Sequence, residues 1–519
     1  MFNYKVSLAR LDVARRRIAA AVVAVGVLPA ALFLSGCGLF GGGDEPSGES
    51  VPLAAQPMHL DVLVFNVEYG GGPATDRVIR SVNADVVGVL ESYNRLPEMA
   101  RRTGYPYYNV SLQILSKYPI LEPSGGGGLY ALIEVKPGYV VPFFNEHLDY
   151  VKWGPRALRR GDSVASVIKS ENEVRTSALA KPIQAMNGLL DQGYPVFLTG
   201  DLNEPSSLDY TKETVGTRKG IDEPVQWPVS SALLGIGLRD TYRQEHPDPV
   251  RDPGITHPGS GERIDYVYSG GGSKTLSSKI VGERGGKDVS VGFTPWTSDH
   301  YAVLSSFETT PAAMPTTVAV DGRMRTVGDK IAISYNAPGS DGNSIAIVRE
   351  GGDPAAPLKR MDVPGAQGRV GLDTKGMRPG GYEAVLLDGG GSEIARVSFW
   401  LRDPRAKLRL STDRTTYKRG EPILVSWTDG PANRWDWLAV YKAGASNPST
   451  DSYTDWAYTG LHTSGTLPPS THGSVTFGHH TQGGPWPLPP GRYVVHYLLT
   501  DRYRSAGSAR FTVSGGSSP

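Results

Sequence analysis

The stretch PVFLTGDLNEPSS, Pro195 to Ser207, opens as a strand fit for a sheet interior and closes on an aspartate, a spacer and an asparagine. Side chains of a strand alternate between faces, so Asp201 and Asn203 leave the run begun by Val196 to Leu198 on the same side. Two oxygen-bearing groups then share one patch of surface. Gly, Asp and Asn also build ordinary strand-ending turns, so the reading turns on whether other strands end in the same way.

They do. HLDVLVFNVEYGG delivers Asn66, ADVVGVLES delivers Glu91, and YVVPFFNEHLDY delivers Asn145 and His147. Two later runs carry their polar groups in front: ERIDYVYSG has Asp265, and TSDHYAVLSSFE has Asp299 and His300. If the first kind runs toward one edge of a sheet and the second runs away from it, all these groups meet at that edge. PATDRVIRSVNAD and the stretch from Ser166 to Gly193 show apolar residues near helical spacing, the second closing on a glycine as helices often do. Strands of mixed direction with helices between them predict an α+β domain over 58–309, a four-layer α/β sandwich of two packed mixed sheets flanked by helices.

At 519 residues the chain is long enough for two or three domains, and 39% hydrophobic with 20% charged residues describes a globular protein. A net charge of +1 excludes the global basic field that drives avid nucleic-acid binding, so any polyanion site is local. After Thr309 the texture becomes strands and turns. Val327 to Gly351 aligns with Arg419 to Gly444, and Arg378 to Asp388 echoes Pro489 to Asp501. This repeat predicts two all-β sandwich domains, 313–404 and 405–515. Trp435, Trp437 and Trp456 of the second give it either a carbohydrate- or protein-binding surface or simply a core.

The chain opens with Lys5, Arg10 and Arg15 to Arg17 ahead of an apolar run from Ile18 to Leu34, which is short for a membrane span and reads as a secretory leader. It stops at LSGC, which resembles the lipobox of bacterial lipoproteins and makes Cys37, the only cysteine, the expected lipidation site. The leader is then 1–37 and a flexible tether 38–57, placing an extracytoplasmic body on a lipid anchor in the cell membrane.

Together GDLN (Gly200 to Asn203), NEHLD (Asn145 to Asp149), ERIDYVY, SDHYAV, FNVEYGG, VGVLES and the ILSKYPI strand (Ile114 to Ile120) resemble the endonuclease/exonuclease/phosphatase superfamily, in that family's order. The resemblance covers about 58–309 and implies a metal-dependent phosphoesterase. Hard oxygen donors suit Mg²⁺ or Mn²⁺, which neutralises charge on phosphoryl oxygens. Glu91, Asn66 and Asp299 are the expected metal ligands. By resemblance Asp201 orients the attacking water with help from Asn203, His300 is general acid or charge stabiliser, Asp265 holds its tautomer, and His147 contacts the scissile phosphate. Glu146 departs from the family, which commonly has Thr there, and strand alternation turns it away from His147.

The expected substrate is a phosphoester: nucleic acid, a phospholipid headgroup as for a sphingomyelinase, or an inositol phosphate. Lys152, Arg156, Arg159 and Arg160 with Trp153 favour a nucleic-acid or polyphosphate substrate, or else form a solvated helix face. Phe293 and Trp296 wall a pocket, touch lipid headgroups or belong to the core. A non-catalytic scaffolding lipoprotein on the same fold is the rival of another class.

Overall fold

The computed structural model of the protein describes residues 56–515, apart from 94, 151, 218–221, 340, 404, 434–435, 445–447, 450, 460–470, 479–485 and 500–502. The leader, Cys37, most of the tether and Trp435 lie outside the described residues.

Two mixed sheets lie face to face. The first holds β1 (Met58–Asn66), β2 (Val86–Leu90), β3 (Tyr107–Asn109), β4 (Ile114–Ser116), β11 (Ser273–Glu283), β12 (Val289–Phe293) and β13 (Ala302–Thr309), in the order β12-β11-β13-β1-β2-β4-β3. The second holds β5 (Ile120–Pro123), β6 (Ala131–Lys136), β7 (Tyr139–His147), β8 (Phe197–Asp201), β9 (Arg239–Asp240) and β10 (Asp265–Ser269), in the order β5-β6-β7-β8-β10-β9. Alternation decides what each face buries. From β1, Leu60, Val62 and Val64 meet Val141, Phe143, Phe197 and Val267 of the facing sheet. Leu63 and Phe65 turn outward beneath Val78 and Ile79 of α1 (Pro73–Val82) and Leu96 and Met99 of α2 (Leu96–Thr103). Each such fully buried side chain is worth roughly 1.5–3 kcal/mol.

The outer face of the second sheet is covered by α5 (Ser177–Asp191) and α6 (Pro228–Gly235). Before them α3 (Gly154–Arg159) and α4 (Val164–Glu171) pack around Trp227 in a cluster of their own, and after β9 the short α7 (Thr241–Glu245) turns Tyr242 into the core between the sheets. Leu179 and Met186 of α5 and Val229 and Leu233 of α6 pack on Leu198, Tyr266 and Tyr268. The stretch expected as one helix from Ser166 to Gly193 is helical from α4 to the end of α5, passing through a π-helical turn, Asn172–Thr176, without leaving helical backbone. ILSKYPI, expected as one strand, is divided between the sheets: Ile114–Ser116 is β4 and Ile120 starts β5. Pro119 has no N–H to continue a ladder, and Ser116 Oγ accepts the Tyr118 N–H at 2.9 Å to close the turn.

A polar clasp crosses the interior near the site. Asn145 Nδ2 donates to the carbonyls of Val89, Leu112 and Gln113 at 3.1, 3.0 and 3.2 Å, and its Oδ1 accepts from Thr199 Oγ1 at 2.9 Å. Only glycine fits beside it: a Cβ on Gly88 would stand 2.1 Å from Thr199 Oγ1 and 2.4 Å from Asn145 Oδ1.

The second sheet does not stop at β5. β14 (Ala312–Ala313) pairs with β7, and β15 (Thr317–Val320) pairs antiparallel with β5, so the sheet runs on through residues 330–336 and 367–373 to ten strands. Buried Glu122 of β5 sits at this seam, accepting the Arg323 backbone N–H at 3.1 Å and the Asn109 amide at 2.6 Å, with the Arg323 guanidinium 3.3 Å away. Facing β15 and the strands 330–336 and 367–373 is a five-stranded sheet of residues 324–326, 393–402, 380–387, 344–349 and 359–362. Beyond residue 405 the strands 416–418, 505–514, 491–498, 437–442 and 453–458 form a sheet of the same order, packed on the three strands 409–412, 423–428 and 473–477. There Trp437 is buried and meets Trp456 edge to face at 6.3 Å.

Candidate active site

Strand direction gathers the site. β1, β2, β7 and β8 end, and β10 and the segment before β13 begin, at one edge of the paired sheets. Asp201 is opposite His147 in the parallel β7–β8 register and opposite Asp265 in the antiparallel β8–β10 register. Ser298 Oγ ties the other sheet to the same edge, donating to the Asn66 carbonyl at 2.7 Å and accepting the His300 N–H at 3.0 Å.

Asp201 is the centre. His147 Nε2 lies 3.6 Å and His300 Nε2 3.7 Å from its Oδ2, and Asn66 Nδ2 donates to that same oxygen at 3.1 Å. The Asn203 N–H donates to Asp201 Oδ1 at 3.0 Å, while Asn203 Nδ2 donates to the Leu148 carbonyl at 2.9 Å, fixing the turn in its left-handed conformation at φ 47°.

His300 is clamped by Asp265, whose Oδ2 accepts from Nδ1 at 2.8 Å. Burial works against the charged ring, but the carboxylates of Asp265 and Asp201 outweigh it and its pKa is pushed up to about 10. His300 is therefore an imidazolium at neutral pH. Burial, with the nearby Asp201 charge, raises the Asp265 carboxyl although His300 opposes the rise. The Asp265 N–H is held by Thr256 Oγ1 at 3.0 Å, and the His300 carbonyl accepts from Trp296 Nε1 at 2.9 Å. Trp296 rests on Phe65 at 5.1 Å between ring centroids, and Phe293 packs with it against the outer core, so the bond from Trp296 ties His300 to that core.

An acidic corner adjoins this centre. Asn66 Nδ2 also donates to Glu91 Oε1 at 3.3 Å, and Asn66 Oδ1 accepts the Glu68 N–H at 3.1 Å. Glu91 Oε2 accepts the Tyr69 N–H and the Tyr93 hydroxyl, each at 3.0 Å. The left-handed turn at Glu91 is pinned by Ser92, whose N–H and hydroxyl both donate to Gln113 Oε1. The Asp299 N–H donates to Glu68 Oε2 at 3.1 Å, and its half-exposed carboxylate lies 3.9 Å from His300 Nε2 and 3.7 Å from His257 Nε2. Burial raises Glu68, helped by the Asp299 charge, while the neighbouring histidines hold Asp299 below its ordinary value against burial. The carboxylates of Glu68, Asp201 and Asp299 near His300, with Glu91 joined to them through Asn66, form an anionic, oxygen-rich set whose chemistry fits a hard divalent cation.

Glu68 and His257 belong to this cluster and were not singled out in the sequence. The only traces of them are Glu68 standing two residues past Asn66 and the segment HPGSG running into ERID. Arg263, readable as a surface partner of Asp265, is instead buried and forked onto Asp209 and Asp240. Of the basic segment, Arg159 pairs with Glu262 at 3.0 Å and covers the Trp153 ring, Arg160 pairs with Asp162 at 3.4 Å, and Lys152 and Arg156 are exposed. Glu146 is buried on the face of β7 turned from His147.

Fold and site together define a phosphoesterase-like architecture. Residues 63–300 match the family model described as Endonuclease/Exonuclease/phosphatase family. An uncharacterised protein of Caenorhabditis elegans is 27% identical over 279 residues, 47% of this chain and 87% of its own length. Among solved structures, an endonuclease/exonuclease/phosphatase from Beutenbergia cavernae is 17% identical, with 66% of this chain and 100% of its own covered at a TM-score of 0.32. TDP2 of D. rerio, complexed with a single-strand DNA product, is 14% identical, with 48% of this chain and 99% of its own covered at a TM-score of 0.29.

Proposed function

We propose that this domain hydrolyses phosphoesters, most fittingly phosphodiesters such as those of nucleic acid, with a divalent ion as cofactor. The observation that carries the reading is Asp201 Oδ2 standing 3.6 and 3.7 Å from two imidazoles and hydrogen-bonded to the asparagine that also holds Glu91.

Asp201 accepts a proton from, and so aligns, the attacking water, with Asn203 fixing its second oxygen. The Asp265 clamp on Nδ1 leaves the Nε2–H of His300 to meet charge developing on the phosphoryl group or the leaving oxygen. His147 contacts the phosphate from the neighbouring strand. Glu91 and Asp299, with Asn66 beside them, would hold Mg²⁺ or Mn²⁺, which supplies Lewis-acid neutralisation of phosphoryl oxygens when bound. The exposed Lys152 and Arg156, a few residues past His147, support a polyanionic substrate. The LSGC motif supports placing the domain outside the cell on a lipid attached to Cys37, which loss of fatty-acid labelling in C37S would check.

The test is hydrolysis of bis(p-nitrophenyl) phosphate by the purified chain with Mg²⁺ or Mn²⁺, expected to vanish with chelator and in H300A. Background turnover alone in the metal-supplied protein overturns the reading and favours a scaffold. Parallel assays on plasmid DNA, sphingomyelin and inositol phosphates separate the substrate classes.

A further inference from the structure

His257 stands where no part of the phosphoesterase reading uses it. Its ring lies 4.7 Å from that of His300, and its Nε2 is 3.7 Å from Asp299 Oδ2. That separation exceeds a hydrogen bond and approaches the spacing, roughly 3–3.6 Å, of two donors each about 2.1 Å from one ion. The backbone is pinned, the His257 N–H donating to the Glu262 carbonyl at 2.9 Å. The other ring nitrogen is engaged too: Nδ1 is 2.7 Å from Ser260 Oγ, whose hydroxyl donates to the His257 carbonyl at 3.2 Å. With the Ser260 proton so directed, a neutral ring that binds an ion would carry its hydrogen on Nδ1 and donate it there, turning the Nε2 lone pair toward Asp299 in place of the Nε2–H that supports that carboxylate without an ion. Histidines that bind metals show this arrangement, the second nitrogen being held by a hydrogen bond that fixes the tautomer. The ring is about a quarter exposed and Asp299 about half, so solvent reaches the gap between them. Glu68, which accepts the Asp299 N–H, adds negative charge on the far side.

We propose that His257 Nε2 and an Asp299 carboxylate oxygen together ligate a divalent first-row transition ion, giving the centre a nitrogen donor besides its oxygens and a preference for Mn²⁺ over Mg²⁺. Imidazole ligands favour transition ions, whereas carboxylate and water suit Mg²⁺. The assignment makes Asp299, placed above as an oxygen ligand, part of a mixed nitrogen and oxygen set. It rests on the pairing with His257 and not on turnover, so it fails or stands separately from the hydrolase reading.

The test titrates the full chain with Mn²⁺ alone and records its pulsed electron paramagnetic resonance spectrum. The wild type is expected to bind Mn²⁺ at least about tenfold tighter than Mg²⁺ and to show ¹⁴N modulation from a ligated imidazole. In H257A and in H257Q, which retains side-chain bulk and a hydrogen-bonding end, the Mn²⁺ dissociation constant should rise about tenfold or more. The Mg²⁺ constant should move less than twofold. The modulation should vanish in both variants and in D299A while surviving in H300A. Modulation that persists without His257, or disappears with His300 instead, overturns the proposal. So does equal affinity of the wild type for the two ions, or an unchanged Mn²⁺ constant in folded H257Q.

Discussion

Replacing Arg263 with methionine strikes the frame that presents Asp265 to His300. The Arg263 guanidinium, 2% exposed, donates to Asp209 through Nε at 3.0 Å and Nη2 at 2.9 Å. It donates to Asp240 through Nη1 at 3.0 Å and Nη2 at 2.7 Å. The Arg243 guanidinium reaches Asp209 at 2.6 Å, and only its backbone N–H reaches Asp240, at 3.2 Å. Methionine keeps most of the volume and removes both guanidinium bonds to Asp240. Taking one partner from a buried ion pair costs about 3–5 kcal/mol, because the other charge stays buried and unpaired. Urea unfolding at pH 7, followed on the transition of the N-terminal domain, should show R263M less stable by that amount. The acid limb should change as well. Burial would raise the Asp209 carboxyl, but Arg263 and Arg243 hold it below its ordinary value. Its stabilisation is therefore complete above the unfolded pKa of about 3.9 and lost as pH falls through the folded value. R263M should lose less stability than the parent over that acid window. A loss at pH 7 below about 1 kcal/mol, with an unchanged acid limb, refutes the reasoning.

Four further outcomes follow from particular contacts. D265N removes the charge that orients His300 and keeps it protonated, and kcat on a phosphodiester should fall by about 10³ with KM little changed; a fall under tenfold contradicts the clamp. G88A forces a methyl into the space held by Thr199 and Asn145, and its thermal midpoint should drop by several degrees at least, through an overpacking cost of about 1–3 kcal/mol or more. Glu204 is buried, caps α6 by accepting the Val229 N–H at 2.8 Å, and is pushed well above its ordinary value by burial and the Glu171 charge. A raised acid loses stability as pH rises from its unfolded value of about 4.3 toward the folded one, so E204Q should be more stable than the parent at pH 8 and the gap should close near pH 4. R323M leaves Glu122 buried without its guanidinium and should cost about 3 kcal/mol by urea titration of the same domain.

The parts legible in the sequence are those where chemistry is written at a strand end. Asp201, His147, Asn66 and Glu91 close apolar runs, and Asp265 and His300 open them, so polarity alone carried the direction of each strand. The turn at Glu91, by contrast, depends on Gln113, and Arg263, two residues ahead of Asp265, is held by Asp209 and Asp240. Those partners lie far along the chain and no local pattern marks them. An arginine two residues from an aspartate looks like a surface pair until burial forces it to find two other carboxylates. His257 was hidden for the same reason, being brought to Asp299 by a loop and not by strand periodicity. The division of ILSKYPI between two sheets shows a proline overriding a favourable apolar run.

The seam between β5 and β15 has a mechanical consequence. A pull on the following module travels into the domain as shear along a hydrogen-bonded ladder, with no slack hinge to absorb it. Recombining this domain with other partners therefore requires a cut beyond the module, since severing at residue 310 strips a neighbour from a strand edge and strands Glu122 without its cation.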